Sequence, residues 1–204
     1  VFTREENPYS KDFEIRKDTK NNNLDIYFIN NPNGKDGYRH KSIDDNFSKL
    51  ISELKPDIAH IGHLNHLSTG IVDKLNKLKI PIVFTLHDFW LMCPRGQFLT
   101  RSIGKENNNK LCSGQEHQKC ASNCYQVYFS GREEDEQKDL DNWSGWAERR
   151  MQETKAIIDK VDLFIAPSMY LKNRFVTDFN IPEKKITYLD YGFPTNYLKP
   201  PTKI

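Results

Sequence analysis

The sequence predicts an α/β fold with a Rossmann-like parallel sheet and helices on both of its faces. From residue 43 onward, helical and strand patterns alternate four times, which is typical of strands joined by crossover helices. The strand candidates are short apolar runs bounded by turn residues, the pattern of strands buried on both faces. The 204 residues are enough for one large domain or two small ones with a substantial core.

The first forty residues are less regular than the rest. Residues 1–3 have the character of a strand end, residues 4–23 are polar and predict a loop, and residues 24–29 predict a second strand. An Asn-Pro-Asn-Gly cluster at 31–34 predicts a turn.

The middle of the chain contains the strand on which the functional argument depends. Apolar residues at helical spacing predict helices over 43–54 and 67–78, and short apolar runs predict strands over 57–61 and 81–86. The last of these strands, Pro81–Leu86, turns abruptly polar at its carboxyl end. Open α/β sheets bind ligands at the carboxyl ends of their strands.

Periodicity is lost between Cys93 and Gln137, which predicts a long cysteine-bearing loop that carries function or a covalent or metal staple. Beyond it, the pattern predicts one long helix over 140–161 and a strand over 163–166. A helix capped by Ser168 and a last strand over 186–189 complete the elements.

Composition excludes some function classes. Lys and Arg number 30 against 28 Asp and Glu, a net charge of +2 that gives no support for nucleic-acid binding. No apolar run approaches the roughly 20 residues that a membrane-spanning helix needs. No secretion leader is visible at Val1, which bounds the location of the protein only weakly.

The polar residues that follow the predicted strand 81–86 are the sharpest functional candidates. An imidazole at a strand end can hydrogen-bond a sugar hydroxyl and stabilise developing charge, which makes His87 a catalytic candidate. On spacing alone, the simpler interpretation is a histidine that Asp88 satisfies in a turn. Asp88 is expected to orient His87 or to cap the next turn.

Three further histidines, His60, His63 and His66, step by three along the chain. They leave a predicted strand and enter a loop, and no carboxylate follows at ligand spacing, so a catalytic metal site is disfavoured. A surface loop with incidental histidines is the alternative. Phe89, Trp90 and Trp143 either stack on a sugar ring or pack in the core.

Four segments in the same order resemble the amino-terminal domain of the family-4 glycosyltransferases of the GT-B fold. They are Lys-Pro-Asp-Ile-Ala-His-Ile-Gly-His at 55–63, Thr-Leu-His-Asp-Phe-Trp-Leu-Met-Cys-Pro-Arg at 85–95, Asp-Leu-Phe-Ile-Ala-Pro-Ser at 162–168 and Lys-Ile-Thr-Tyr-Leu-Asp-Tyr-Gly-Phe at 185–193. The resemblance covers residues 43–195. Residues 1–3 and 24–29 fit the second and third strands of that family less specifically.

The resemblance implies the acceptor-side half of a retaining glycosyltransferase, which moves a sugar from a nucleotide-sugar donor to a glycan or lipid-linked acceptor. It places His87 against the donor sugar and implies no catalytic metal. Asn65, with His63 and His60, is expected to line the acceptor side. Asp88 is expected to lie beside them. Arg95 is expected either to bind a phosphate or an acidic acceptor or to form a surface salt bridge.

The resemblance also implies an organisation. Residues 1–195 would form the acceptor-side domain, with the family's first strand and glycine-rich loop missing, and residues 196–204 would be an exit linker towards an absent donor-binding carboxyl-terminal domain. Without its first strand, the sheet would have a gap in the middle. The remaining strands would then pair with each other, a strand of a neighbouring molecule would fill the gap, or the chain would be a fragment of a longer product. The family suggests polysaccharide assembly for the cell envelope in the cytoplasm, at the inner membrane face with peripheral membrane contact. This half alone is expected to be inactive.

The four cysteines, Cys93, Cys112, Cys120 and Cys124, leave 18, 7 and 3 residues between them. Cys120-x3-Cys124 is a credible half-site for zinc, and some members of the family carry a similar set, so a structural tetrathiolate zinc is predicted. Four reduced thiols or two disulfides are the alternatives.

The second candidate function is a non-catalytic, zinc-stapled binding module that retains the fold. A hydrolase or epimerase is disfavoured because neither a Gly-x-Ser-x-Gly turn nor a dinucleotide fingerprint is present.

Overall fold

The computed structural model describes residues 1–21, 23–31, 37–101 and 110–192. Within these ranges the strands are β1 (Phe2–Glu5), β2 (Ile15–Lys17), β3 (Tyr27–Asn30), β4 (Ala59–Ile61), β5 (Ile82–Thr85), β6 (Leu163–Ala166) and β7 (Ile186–Tyr188). The α-helices are α1 (Lys41–Leu54), α2 (Gly70–Lys77), α3 (His117–Cys120), α4 (Glu136–Lys155), α5 (Ile157–Lys160) and α6 (Met169–Thr177). The turn predicted at 31–34 lies mostly outside these ranges, and the exit linker predicted at 196–204 lies entirely outside them.

A four-stranded parallel sheet in the order β4-β5-β6-β7 positions the candidate site, and it confirms the predicted α/β, Rossmann-like fold. Helices cover the sheet, and strand β5 lies in its interior, with Ile82 and Phe84 buried. Its uniformly apolar sequence follows from this position, because a central parallel strand is covered on both faces.

A separate three-stranded sheet has the order β1-β3-β2, with β1 parallel and β2 antiparallel to β3. The loop predicted over residues 4–23 is therefore wrong at β2. This strand has three residues and two are charged, so it carries no apolar periodicity. Arg16 instead pairs with Glu5 at 2.5 Å and lies 4.4 Å from the centre of the Phe28 ring. Charged residues of this kind are common on exposed edge strands.

Contacts among the described residues, which include an aromatic pair and a hydrogen bond, connect the smaller sheet to the rest of the molecule. The ring centroids of Phe2 and Phe47 on α1 are 5.1 Å apart, and the Asn31 side chain donates a hydrogen bond to the His66 carbonyl at 3.2 Å. Among the described residues, the two sheets are not joined by strand pairing.

The described part of the cysteine-bearing stretch contains more regular structure than the loop predicted over 93–137. Helix α3 is followed by a π-helical turn over Ala121–Tyr125 and by short 3₁₀ turns, and α4 begins at Glu136. The Glu116 carboxylate caps α3 by accepting hydrogen bonds from the backbone N–H groups of Gln118 and Lys119. Turns this short contain too few residues to produce a helical repeat in the sequence, which explains why the pattern does not reveal them.

The helix predicted over 140–161 is two helices, because α4 ends at Lys155 and α5 follows. The consecutive side chains of Ile157 and Ile158 are both buried, and the change of direction after α4 allows both to reach the core. In the described part of the chain, no helix combines the length and apolarity required to cross a bilayer.

The predicted cap of α6 is confirmed, since Ser168 Oγ accepts a hydrogen bond from the Leu171 N–H at 3.1 Å. We expect Ser168→Ala to lower the free energy of unfolding by about 1 kcal/mol, because the cap bond is lost. Ser52→Ala is the matched control: the exposed Ser52 hydroxyl bonds the Ser48 carbonyl inside α1. That change should be neutral or slightly stabilising. Urea unfolding measures both; equal destabilisation by the two changes would contradict the capping role.

Candidate active site

Polar residues meet at the carboxyl edge of the parallel sheet, immediately after β4 and β5. Gly62 and His63 follow β4, and His87 and Asp88 follow β5. Because these two strands are hydrogen-bonded neighbours, the four residues line one small crevice of about 10 Å³. The structure therefore brings three of the sequence-predicted site residues together.

His87 is exposed and rests on Tyr191, which follows β7. Its Nδ1 lies 2.5 Å from Tyr191 Oη, and the two rings are nearly parallel at 7° with centroids 5.6 Å apart. On the other side, a methyl group at Gly62 would lie 3.7 Å from His87 Nε2. Tyr191 was missed by the sequence reasoning, although its place after the last parallel strand puts it at the same edge.

Asp88 bonds His63 and the following turn rather than His87. The Asn65 N–H donates to His63 Nδ1 at 2.8 Å, so the neutral imidazole carries its proton on Nε2 and donates it to Asp88 Oδ2 at 3.4 Å. Asp88 Oδ1 accepts from the Trp90 N–H at 2.7 Å. Although burial alone would raise the pKa of Asp88, these two hydrogen bonds hold it below its usual value.

A tight turn after β5 allows this arrangement. The Phe89 N–H donates to the Gly96 carbonyl at 3.0 Å, and Gly96 has a φ of +73°. A Cβ atom there would lie 2.8 Å from Asp88 Oδ2. Glycine is therefore favoured at position 96 for two reasons: the backbone conformation and the close approach of the Asp88 carboxylate.

The other histidines are dispersed. His60 lies inside β4 with Nε2 2.7 Å from Thr85 Oγ1, away from the crevice, and His66 is exposed with a φ of +62°. Throughout the residues that the structure describes, no group of three or more His, Cys, Asp or Glu side chains is arranged to hold a metal ion. Asn65 lines the aromatic pocket described below, and so does His66.

The four cysteines nevertheless surround one cavity. Cys93, Cys112, Cys120 and Cys124 all line a nearly closed space of about 10 Å³, and all four are free thiols. Burial raises the pKa of the Cys120 thiol to about 11, and the other three sulfurs add to the shift. The donor set therefore suits a soft cation, which would stabilise the thiolate forms. The sulfur positions do not form a ligand cluster.

Arg95 lies between the cysteine cavity and the aromatic pocket and lines both. Its Nη1 donates to the Leu99 carbonyl at 2.9 Å. It is half-buried, away from the His87 crevice.

A pocket of about 300 Å³ lies beside the crevice, walled mainly by aromatic side chains. Tyr125 stacks on Trp143 at 4.9 Å with an interplanar angle of 5°, and Tyr128 lies 5.2 Å from Trp143. Trp146 closes the stack against Tyr125 at 5.0 Å. Of the three aromatics singled out in the sequence, Trp143 lines this pocket, Trp90 is buried at its base, and Phe89 packs on Phe98 at 4.8 Å.

Arg150 is the least expected residue of this region, because it is 1% exposed on a helix face predicted to be apolar. Its Nη2 donates to the Trp90 carbonyl at 2.5 Å, and its Cζ lies 4.5 Å from the centre of the Trp90 ring. Burial lowers the pKa of its guanidinium to about 10. The spacing of three and four residues that relates Trp143, Trp146 and Arg150 places them on one face of α4, a signal the sequence contains.

Two comparisons with known proteins bear on this site. A curated relative from Klebsiella pneumoniae, described as an uncharacterized 42.6 kDa protein in the cps region, is 30% identical over 98 residues. The match covers 39% of this chain and 26% of that relative, about a quarter of its length. The model of Glycosyltransferase Family 4 matches residues 1–197. Since this match includes nearly all of the sequence, the chain belongs to Glycosyltransferase Family 4.

Proposed function

We propose that this chain is the acceptor-side half of a retaining glycosyltransferase, which moves a sugar from a nucleotide-sugar donor to a glycan or lipid-linked acceptor. Family membership supports transfer of a sugar. The observation that carries the finer proposal is His87, an exposed imidazole at the carboxyl edge of the sheet, held in one orientation by Tyr191. The cps-region description of the Klebsiella relative suggests polysaccharide assembly as the setting.

In this proposal His87 contacts the donor sugar near its reacting carbon. If the Tyr191 hydroxyl donates to Nδ1, the imidazole proton resides on Nε2, which can donate to a sugar oxygen. The bond between the anomeric carbon and the diphosphate oxygen breaks, and a bond to the acceptor oxygen forms on the same face. A fixed donor at this point stabilises charge that develops during the exchange. His87 is not required to accept the acceptor's proton, which the departing diphosphate can take.

The neighbouring residues position the acceptor. The pair formed by His63 and Asp88 holds the ends of β4 and β5 together and fixes the turn that carries Trp90. Asn65 presents a short amide to the aromatic pocket, the kind of group that suits sugar hydroxyls. His60 has its hydrogen bond inside the sheet and contributes less directly.

The donor requires a second domain. We propose that a carboxyl-terminal domain binds most of the nucleotide sugar, and that closure over this edge excludes water, which would otherwise hydrolyse the donor. The reaction then needs no catalytic metal. The natural setting is the cytoplasm at the inner membrane face, where nucleotide sugars and lipid-linked acceptors meet.

The four cysteines are proposed to hold a structural zinc ion that fastens α3 and the π-helical turn to the turn after β5. Zinc would bind the Cys120 sulfur as a thiolate, although burial of that thiol otherwise favours its protonated form. The same feature favours the second candidate function, a non-catalytic, zinc-stapled binding module. Transfer activity of the whole gene product separates the two functions.

We expect His87→Ala in the whole gene product to lower kcat by about 100-fold or more, since a fixed hydrogen-bond donor to the transition state is lost. Tyr191→Phe should have a smaller effect in the same direction, because only the orientation of His87 is weakened. Release of nucleoside diphosphate from a panel of UDP-, GDP- and ADP-sugars with acceptor present measures both.

His40→Asn is the control for this measurement, because His40 precedes α1 without a side-chain capping bond and lies outside the crevice. A folded His87→Ala protein that retains more than half of the activity would refute the catalytic role. Efficient transfer by the 204-residue chain alone would refute the need for a second domain.

We expect about one zinc ion per chain when the protein is purified without chelator and its metal is measured by mass spectrometry. Removing the metal should lower Tm by several degrees, since binding to the folded state alone stabilises it. Cys124→Ser should abolish both the metal and the response to chelator. Metal-free protein whose Tm is unchanged by added zinc would exclude the site.

A further inference from the structure

The aromatic pocket has an unusual charge. Three arginines, Arg95, Arg101 and Arg150, line it, and among the described residues no aspartate or glutamate does. Arg101 lies at the exposed side, with its Cζ 5.8 Å from the centre of the Tyr128 ring. The volume of about 300 Å³ is at the lower end of the range for small-molecule sites. The pocket is thus cationic although the whole chain is nearly neutral.

Arg150 supplies the feature that indicates a ligand. Its Nη1 is buried and has no hydrogen-bond partner among the described residues, and the described ion pairs do not include it. Asp88 is the carboxylate whose charge acts on the Arg150 guanidinium. It already accepts hydrogen bonds from His63 and from the Trp90 backbone. A buried guanidinium with an unused N–H is costly, and an anion in the pocket would remove that cost.

The walls indicate what carries the anion. Tyr125, Tyr128 and Trp143 form an aromatic cluster, and Trp143 and Tyr128 are not fully buried. The faces of a pyranose ring carry C–H groups that pack against aromatic rings, while the ring hydroxyls need short polar partners such as Asn65. A simple inorganic anion would leave this cluster unused.

The pocket is also connected to the proposed reaction centre. Trp90 lines both the pocket and the crevice that contains His87, and its ring lies 5.5 Å from His63 on one side and 4.5 Å from Arg150 Cζ on the other. A ligand of more than one sugar unit that occupied the pocket would extend towards the edge of the sheet.

We propose that this pocket binds an anionic sugar unit of the acceptor, a pyranose that carries a carboxylate or a phosphate, with its ring on Trp143 and Tyr128 and its anion on Arg150 Nη1. Arg95 and Arg101 attract the charge at the mouth of the pocket. The assignment of this unit to the acceptor rests on the proposed function. The binding itself rests on the pocket alone.

Binding to the 204-residue chain tests the proposal, by calorimetry and tryptophan fluorescence with four probes. They are methyl β-D-glucuronide, glucose 6-phosphate, methyl β-D-glucoside and inorganic phosphate. We expect one anionic sugar to bind at least about 10-fold more tightly than both the neutral glucoside and inorganic phosphate. The carboxylate and phosphate probes identify the source of the charge.

Arg150→Met should reduce that affinity about 10-fold or more, to the level of the neutral sugar, because it keeps the packing volume and removes the charge. The matched control is Arg149→Met, an exposed neighbour on the same helix, which should bind normally. Trp143→Leu provides a second test that leaves the buried guanidinium in place. This substitution should weaken binding of the anionic sugar and leave binding of inorganic phosphate unchanged.

The proposal is overturned if neutral and anionic sugars bind equally, if none binds at about 20 mM, or if folded Arg150→Met binds like the unsubstituted chain. Its failure is distinct from failure of the proposed function. If the whole gene product transfers sugar but Arg150→Met does not change the acceptor KM, the pocket assignment fails and the transferase stands. If the anionic sugar binds but no nucleotide sugar is ever consumed, the transferase fails and the pocket stands.

Discussion

The contact between Arg150 and Trp90 holds the functional region together. One guanidinium nitrogen bonds the Trp90 carbonyl, and the guanidinium plane covers the Trp90 ring, so helix α4 is fastened to the turn that follows the central strand. The N–H of the same Trp90 is bound by Asp88, which in turn accepts from His63. A single buried cation therefore connects the helix to the polar edge of the sheet. Since a buried charge is rarely the most stable solution for a core, its presence here is better explained by placement than by stability.

The cysteine cavity lies beside the wall of the aromatic pocket that contains Tyr125. Cys93 belongs to the turn after β5, whereas Cys120 and Cys124 belong to α3 and the π-helical turn. Tyr125, the residue after Cys124, stacks on Trp143 of α4. Any contact that fixes Cys124 therefore also sets the position of Tyr125, because the two residues are adjacent in the sequence. Short π-helical turns are often found at functional sites, where they redirect side chains.

The sequence predicted the parallel sheet well because its inner strands, β5 and β6, are mostly buried and apolar, and because polar residues follow the strands. His87 and Asp88 could be placed for that reason, and His63 with them. Strand β2 could not be predicted, since three residues with two charges carry no repeat. Tyr191 needed the strand order in addition to the sequence, because 104 residues separate it from His87. Arg150 was missed for another reason. A prediction from amphipathic spacing uses only the apolar residues of the inner helix face and ignores a single charged residue there. In this helix that charged residue, Arg150, is the one on which the pocket depends.

Local chemistry at this edge also differs from what the overall composition suggests. A net charge of +2 over 204 residues gives no indication of an anionic ligand, yet three arginines line one aromatic space that has no carboxylate among its described lining residues. A few ångströms away, across Trp90, the crevice holds imidazoles and a carboxylate whose charge is already matched by hydrogen bonds. Under the proposed function, a cationic pocket that is separate from the reaction edge would hold a charged acceptor without placing the acceptor's charge beside the reacting carbon. In a two-domain transferase this division is useful, because the donor diphosphate brings negative charge of its own, and an acceptor anion at the same point would repel it.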